Sequence, residues 1–145
     1  MASIDVQQHP TALGRRRPGI RFAVLLTAAV LAAGLNYLIA QGAVALGAAS
    51  GFAPLTPQVF VPLTVLGMAA GYAGWTTVAR RSAHPAAVLR VLVPAVLLLS
   101  MLPDLLLMAT KFIPSTSATG VAGLMLMHIV VTTVAVPAYQ FTRPV

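Results

Sequence analysis

The chain has no cysteine and almost no acidic residues. Only two of its 145 residues are Asp or Glu, and charged residues make up 8% of it, against roughly 25% in soluble domains. The lack of cysteine excludes disulfides, thiolate metal sites and cysteine nucleophiles. A Ser-His-Asp order, paired carboxylates and a phosphate-binding loop are also missing from the sequence. The common sequence signatures of enzymes are therefore not present.

Apolar residues dominate what is there. They make up 59% of the chain, more than a soluble fold of this size can bury. The net charge of +7 comes from Lys and Arg at the ends of apolar runs, as is typical of membrane proteins. We therefore expect the partner to be the lipid bilayer and expect no nucleic acid.

Four apolar runs are long enough to cross a membrane, because about 20 helical residues span the ~30 Å hydrocarbon core. The sequence predicts an all-α, four-helix transmembrane bundle. The predicted spans are residues 20–41, 58–79, 88–108 and 119–139 of a membrane domain covering 20–141, with a disordered tail at 1–19 and a short tail at 142–145.

Two local features refine this bundle. Pro103, inside the third span, frees the carbonyl of Leu99, and we expect the hydroxyl of Ser100 to bind it. The Ser and Thr residues before the fourth span are expected to cap its first turn.

Positive charge is distributed unevenly between the two sides of the membrane. Eight arginines flank the spans on the side of the amino terminus, whereas Lys111 stands alone on the other. Because Lys and Arg near span ends are retained in the cytoplasm, both termini are predicted to be cytoplasmic.

His128 lies near the middle of the fourth span, where an imidazole needs a hydrogen-bonding partner. Thr132, one turn later, shares its helix face, and its hydroxyl can bind the carbonyl of His128. Two interpretations remain open. His128 is either a neutral interhelical hydrogen-bonding group or a proton relay or ligand contact.

Asp104 is the only acidic residue in a predicted span, and Asn36 lies at a similar depth in the first span. We expect either an Asn36–Asp104 hydrogen bond, or a His128–Asp104 contact if the helix bends at Pro103. The alternative is an aspartate that reaches headgroup water or Lys111. Asn36, Asp104, His128 and Thr132 together form the candidate intramembrane polar site.

Gly67, Gly71 and Gly74 have the spacing that lets membrane helices approach closely. This stripe predicts either close packing within one chain or a seam with a membrane protein partner or a second copy. His9, His84 and His128 lie in a tail, a loop and a span, so we expect no metal site and no cofactor.

The order of four short spans, the segment SMLPDL and the segment LMLMHIVVTTVAVPAY carry a family resemblance. Over residues 17–141 the chain resembles small four-helix membrane proteins of high-GC Gram-positive bacteria, known only as a domain of unknown function. The resemblance implies a plasma-membrane location and a four-helix fold. It implies no activity and no role for His128.

Two functional hypotheses follow, and both are non-enzymatic. The first is a structural or interaction protein, accessory to a partner in the plasma membrane. The second is a small proton- or solute-linked transporter or membrane sensor that uses Asp104 and His128.

Overall fold

The computed structural model describes residues 18–145, so residues 1–17 of the predicted tail lie outside it. The described chain is all-helical, and four of its helical segments are long and apolar enough to cross a membrane. The predicted fold class is thereby confirmed. The helices are α1 Pro18–Ala45, α2 Pro57–Arg81, α3 Pro85–Ser100, α4 Leu102–Thr110 and α5 Ala118–Thr142.

The helices extend beyond the predicted spans at their ends. Pro18 and Gly19, expected in the tail, form the first turn of α1, and Thr142 is the last residue of α5. α1 continues to Ala45, so the first connecting loop is shorter than expected. Hydropathy marks only the apolar part of a helix, whereas backbone hydrogen bonding continues into the polar flanks.

The third membrane-length segment is broken into α3 and α4 at Met101. The Met101 amide binds the carbonyls of Leu98 and Leu99, and Ser100 Oγ donates to the Leu97 carbonyl at 2.7 Å. The expected hydrogen bond from the Ser100 hydroxyl to the Leu99 carbonyl is therefore not formed, because the hydroxyl binds Leu97 instead. Pro103 lies in the first turn of α4, where a missing amide hydrogen costs little.

The closest helix pair is α1 and α5, which pack through small side chains. Ala28, Ala32, Ala40 and Ala43 of α1 are buried along one face. On α5, a Cβ added at Gly123 would lie 3.1 Å from the Cβ of Ala43. Small residues thus bring these two antiparallel helices together, as they do in many membrane proteins.

The loop between α1 and α2 closes one end of the bundle. It contains a short 3₁₀ turn, Ala53–Leu55, and its Phe52 is fully buried. A Cβ added at Gly120 of α5 would come within 3.0 Å of the Phe52 ring. Ser117 Oγ accepts a hydrogen bond from the Gly120 amide at 3.1 Å, which confirms the predicted cap.

Aromatic residues close the other end. Tyr139 donates to the Met68 carbonyl at 2.6 Å and packs against the rings of Tyr72 and Trp75. Trp75 donates to the Arg143 carbonyl at 3.0 Å. Trp75 is only 4% exposed, so it ties α2 to the end of α5 rather than facing the membrane interface.

Candidate functional site

A long groove is lined by α2, by the α3–α4 segment and by α5, which forms its floor. Its volume is about 870 Å³. Phe112 lines it near the end closed by Phe52, and Trp75 and Leu89 line it near the aromatic end. We call this space the intramembrane groove.

Most of the lining is aliphatic or aromatic, and the polar lining residues come from all five helices. They are Asn36, Thr64, Ser100, Asp104, His128 and Thr132. All four residues of the predicted polar site therefore line one space. Thr64 is not among the predicted site residues, although it is a lone hydroxyl in the middle of an apolar run.

His128 and Asp104 are in direct contact. His128 Nδ1 lies 3.2 Å from Asp104 Oδ2. Helical side chains lean toward the amino terminus of their helix, so the His128 ring is tilted toward the level of Asp104. The helix breaks at Met101, two residues before Pro103, so Asp104 lies on the separate short helix α4. The His128–Asp104 contact, which was expected if the helix bends at Pro103, is therefore formed.

The same ring nitrogen has a second neighbour. His128 Nδ1 is 2.9 Å from the carbonyl of Leu124, one turn earlier in α5. Because a carbonyl only accepts, Nδ1 carries the hydrogen in this contact. The hydrogen is directed at Leu124, and Asp104 Oδ2 has no well-directed hydrogen bond among residues 18–145. In this tautomer Nε2 is an acceptor.

Asn36 binds a different partner from the one expected. Its Nδ2 donates to Thr64 Oγ1 at 3.0 Å, and this bond joins α1 to α2. The expected Asn36–Asp104 hydrogen bond is not among the hydrogen bonds of the described chain. Asn36 is 1% exposed, and its Oδ1 has no hydrogen-bond partner within residues 18–145.

Two hydroxyl groups of the groove donate to backbone carbonyls of their own helices. Thr132 Oγ1 donates to the His128 carbonyl at 2.9 Å, which is the bond predicted from the sequence. Ser100 Oγ donates to Leu97. Two oxygens of the lining residues, Asn36 Oδ1 and Asp104 Oδ2, are buried and have no hydrogen-bond partner within residues 18–145.

The glycine stripe of α2 faces the groove. A Cβ added at Gly67 or Gly74 would meet no atom within 4 Å, and one added at Gly71 would lie 2.9 Å from the Tyr139 hydroxyl. Within residues 18–145, Gly67 and Gly74 therefore do not pack against another helix. Of the three glycines, only Gly71 is closely packed.

No group of three or more His, Asp or Glu side chains lies together in residues 18–145 in a way that could hold a metal ion. The His128–Asp104 pair alone supplies two ligand groups. His9 lies outside the described residues. The absence of a cofactor stays a prediction.

Comparison with known proteins places the chain in one family and gives no activity. The sequence pattern of a family of unknown function (DUF6069) matches residues 13–144. No curated protein and no solved structure matches the chain.

Proposed function

The chain belongs to this family of unknown function, and from that premise we propose that it is a membrane-embedded protein that binds a small, mainly apolar molecule in the intramembrane groove. This role falls within the transporter or sensor class. One observation carries it: a groove of about 870 Å³ whose lining is apolar except for a few polar side chains, among them His128 and Asp104. Small-molecule sites are typically 300–1,000 Å³, mostly apolar, with a few placed polar groups.

The length of the groove suits a chain-like molecule. α5, which forms its floor, rises roughly 22 Å between Leu124 and Tyr139, at 1.5 Å per residue. An extended aliphatic chain can lie along this length in contact with the apolar lining.

An accessory role is the second candidate, and the open glycine stripe supports it. Gly67 and Gly74 leave space on α2 that no helix of residues 18–145 fills, and small residues are typical of contacts between membrane helices. In this version a membrane protein partner or a second copy of the chain lies over the mouth of the groove.

We propose binding rather than catalysis. Among residues 18–145 no hydroxyl bonds a ring nitrogen of His128, because Thr132 and Ser100 both donate to backbone carbonyls. The arrangement of nucleophile, base and orienting acid needed for acyl transfer is therefore not assembled.

We also propose that the protein lies in the plasma membrane with both termini in the cytoplasm. The antiparallel order of the spans puts Arg21, Arg80, Arg90 and Arg143 near one end of the bundle and Lys111 at the other. This asymmetry supports the orientation, since positively charged flanks are retained inside.

Blocking the groove tests the binding role. Gly67→Phe and Gly74→Phe add a ring where an added Cβ meets nothing within 4 Å, so the helices need not move. Gly34→Phe is the matched control, because Gly34 is equally open but lies on α1 outside the groove lining. The measurement is native mass spectrometry of protein extracted from membranes in mild detergent.

We expect wild type and Gly34→Phe to carry a low-mass, non-covalent adduct that both blocked variants lose. If the blocked variants instead lose a protein partner or a dimer, the accessory role replaces the binding role. Adducts that are identical in all four proteins would contradict binding in the groove.

A further inference from the structure

We infer that His128 Nε2 is the polar contact for the molecule in the groove, and that this molecule carries a hydrogen-bond donor on an otherwise apolar body. The inference rests on the proposed binding role and names the contact atom and the class of ligand. It follows from the orientation of the His128 ring, from the exposure of its second nitrogen and from the polar groups that remain within reach of the groove.

One side of the His128 ring is held by the protein. Nδ1 lies 2.9 Å from the Leu124 carbonyl and 3.2 Å from Asp104 Oδ2, so both neighbours are on the Nδ1 side of the ring. A backbone carbonyl at Nδ1 sets the tautomer of a histidine and leaves Nε2 free to bind. Leu124 therefore fixes both the position of the ring hydrogen and the direction of Nε2.

The second nitrogen of the ring is open to the groove. No hydrogen bond within residues 18–145 uses Nε2, and Nε2 is not one of the buried atoms that lack a partner. The His128 side chain is 37% exposed, and its neighbours along the helix, Leu124, Val131 and Thr132, all line the groove. Since residues three or four apart share a helix face, the exposed part of the ring faces the same space.

The depth and the hydrogen bonding of the ring favour an uncharged imidazole. His128 lies about 15 Å from the start of α5 and about 21 Å from its end, and a charge at this depth is expensive in hydrocarbon. An imidazolium would direct its Nδ1 hydrogen at Asp104, whereas this hydrogen is directed at Leu124. In the neutral ring, Nε2 only accepts hydrogen bonds.

The other polar groups within reach of the groove also accept. The hydroxyl groups of Ser100 and Thr132 are half-buried, and each donates its hydrogen to a backbone carbonyl of its own helix. Asn36 and Thr64 keep unused hydrogens, but these side chains are 1% and 6% exposed, too buried to offer them to an occupant. A molecule with a hydrogen-bond donor therefore gains a bond at His128, whereas one with acceptors alone leaves Nε2 unpaired.

Competition between two probes tests the donor. Dodecanol and its methyl ether share an apolar chain, but only the alcohol donates hydrogen bonds. Equal amounts of both are added to the full-length protein in mild detergent, and native mass spectrometry resolves the two adducts by mass. In wild type we expect the alcohol adduct to exceed the ether adduct about three- to tenfold, the usual size of one hydrogen bond.

Two variants test whether His128 is the contact. His128→Leu removes Nε2 and should bring the two adducts to equal amounts. Thr133→Val should keep the wild-type ratio, because the exposed Thr133 bonds only the Ile129 carbonyl of its own helix. A preference for the alcohol that survives in His128→Leu would overturn the assignment to Nε2. Dodecylammonium, competed against dodecanol in the same proteins, shows whether the donor that depends on His128 is an ammonium or a hydroxyl group.

Nitrogen NMR of the ring gives a second measurement on a protein that keeps His128. His9→Gln and His84→Gln leave His128 as the only histidine of the chain, which is labelled with ¹⁵N and studied in lipid nanodiscs. We expect one nitrogen with a hydrogen and one without. Dodecanol should move the resonance of the bare nitrogen toward that of a hydrogen-bonded one, whereas the methyl ether should not. Gly67→Phe, which blocks the groove, should suppress the response.

The outcomes separate the contact from the binding role. Equal alcohol and ether adducts in wild type, both abolished by Gly67→Phe, keep the binding role and overturn the donor assignment. A His128 ring with a hydrogen on both nitrogens also overturns it, because Nε2 then has no lone pair to offer. Adducts that persist in Gly67→Phe would count against the binding role itself.

Discussion

The α1–α5 seam should be highly sensitive to one added methyl group. A Cβ at Gly123 would lie 3.1 Å from the Ala43 Cβ, whereas carbon atoms in contact prefer about 3.5–4.0 Å. Both atoms are attached directly to helix backbones, so neither can rotate away. Gly123→Ala must therefore separate the two helices locally by several tenths of an ångström.

Two opposing effects set the change in the free energy of unfolding that Gly123→Ala causes. Overpacking a well-packed core costs about 1–3 kcal/mol, and replacing a helical glycine with alanine gains up to about 1 kcal/mol. Gly34→Ala is the matched control, because its added Cβ meets nothing within 4 Å and only the gain applies. We expect Gly123→Ala to unfold with a free energy about 1–3 kcal/mol lower than that of Gly34→Ala.

The assay is reversible unfolding by SDS in mixed micelles, followed by helical circular dichroism. Ala43→Gly, introduced together with Gly123→Ala, removes the opposing Cβ. The double variant should recover most of the loss that the clash causes, and a double-mutant cycle isolates that coupling. Equal stabilities of Gly123→Ala and Gly34→Ala would show that the seam is not closely packed and would refute the reasoning.

Three further predictions concern other parts of the chain. His128→Asn should keep most of the stability in detergent and His128→Leu should lose on the order of 1 kcal/mol or less, as measured by the same SDS unfolding, since membrane hydrogen bonds are of that size. Gly71→Ala should destabilise the bundle because its Cβ would lie 2.9 Å from the Tyr139 hydroxyl, and Tyr139→Phe should relieve that loss in a double-mutant cycle. Reporter fusions within residues 82–84 should behave as cytoplasmic and those within 46–56 as external; the reverse pattern would invert the proposed orientation.

The number and type of the helices could be predicted because membrane thickness sets a length that hydropathy reveals. The Ser117 cap was predictable for a similar reason, since it depends on residues close in sequence. The break at Met101 was not, although Pro103 marked the neighbourhood. A proline tolerates both a bent continuous helix and two separate ones, and the backbone bonds around Ser100 decide between them.

The helix seam shows where sequence patterns fail. Gly67, Gly71 and Gly74 have the spacing typical of close helix contacts, yet all three line the groove and only Gly71 has a close neighbour. The closest pair instead uses alanines of α1 such as Ala32 and Ala40. In a chain rich in alanine, several helix faces carry small residues at the spacing that permits close packing. The rotation of each helix about its axis decides which of these faces meets another helix.

The same rotation explains the polar site. Counting residues from the span ends predicts similar depths for Asn36 and Asp104, but each residue along a helix turns the side chain by about 100°. Asn36 consequently meets Thr64, and Asp104 meets His128. The pairing with Thr64 uses one amide hydrogen of Asn36, and Asn36 Oδ1 and Asp104 Oδ2 are left buried without a hydrogen-bond partner within residues 18–145. The helix rotations therefore decide which polar atoms are paired, and residue identity and depth alone do not specify them.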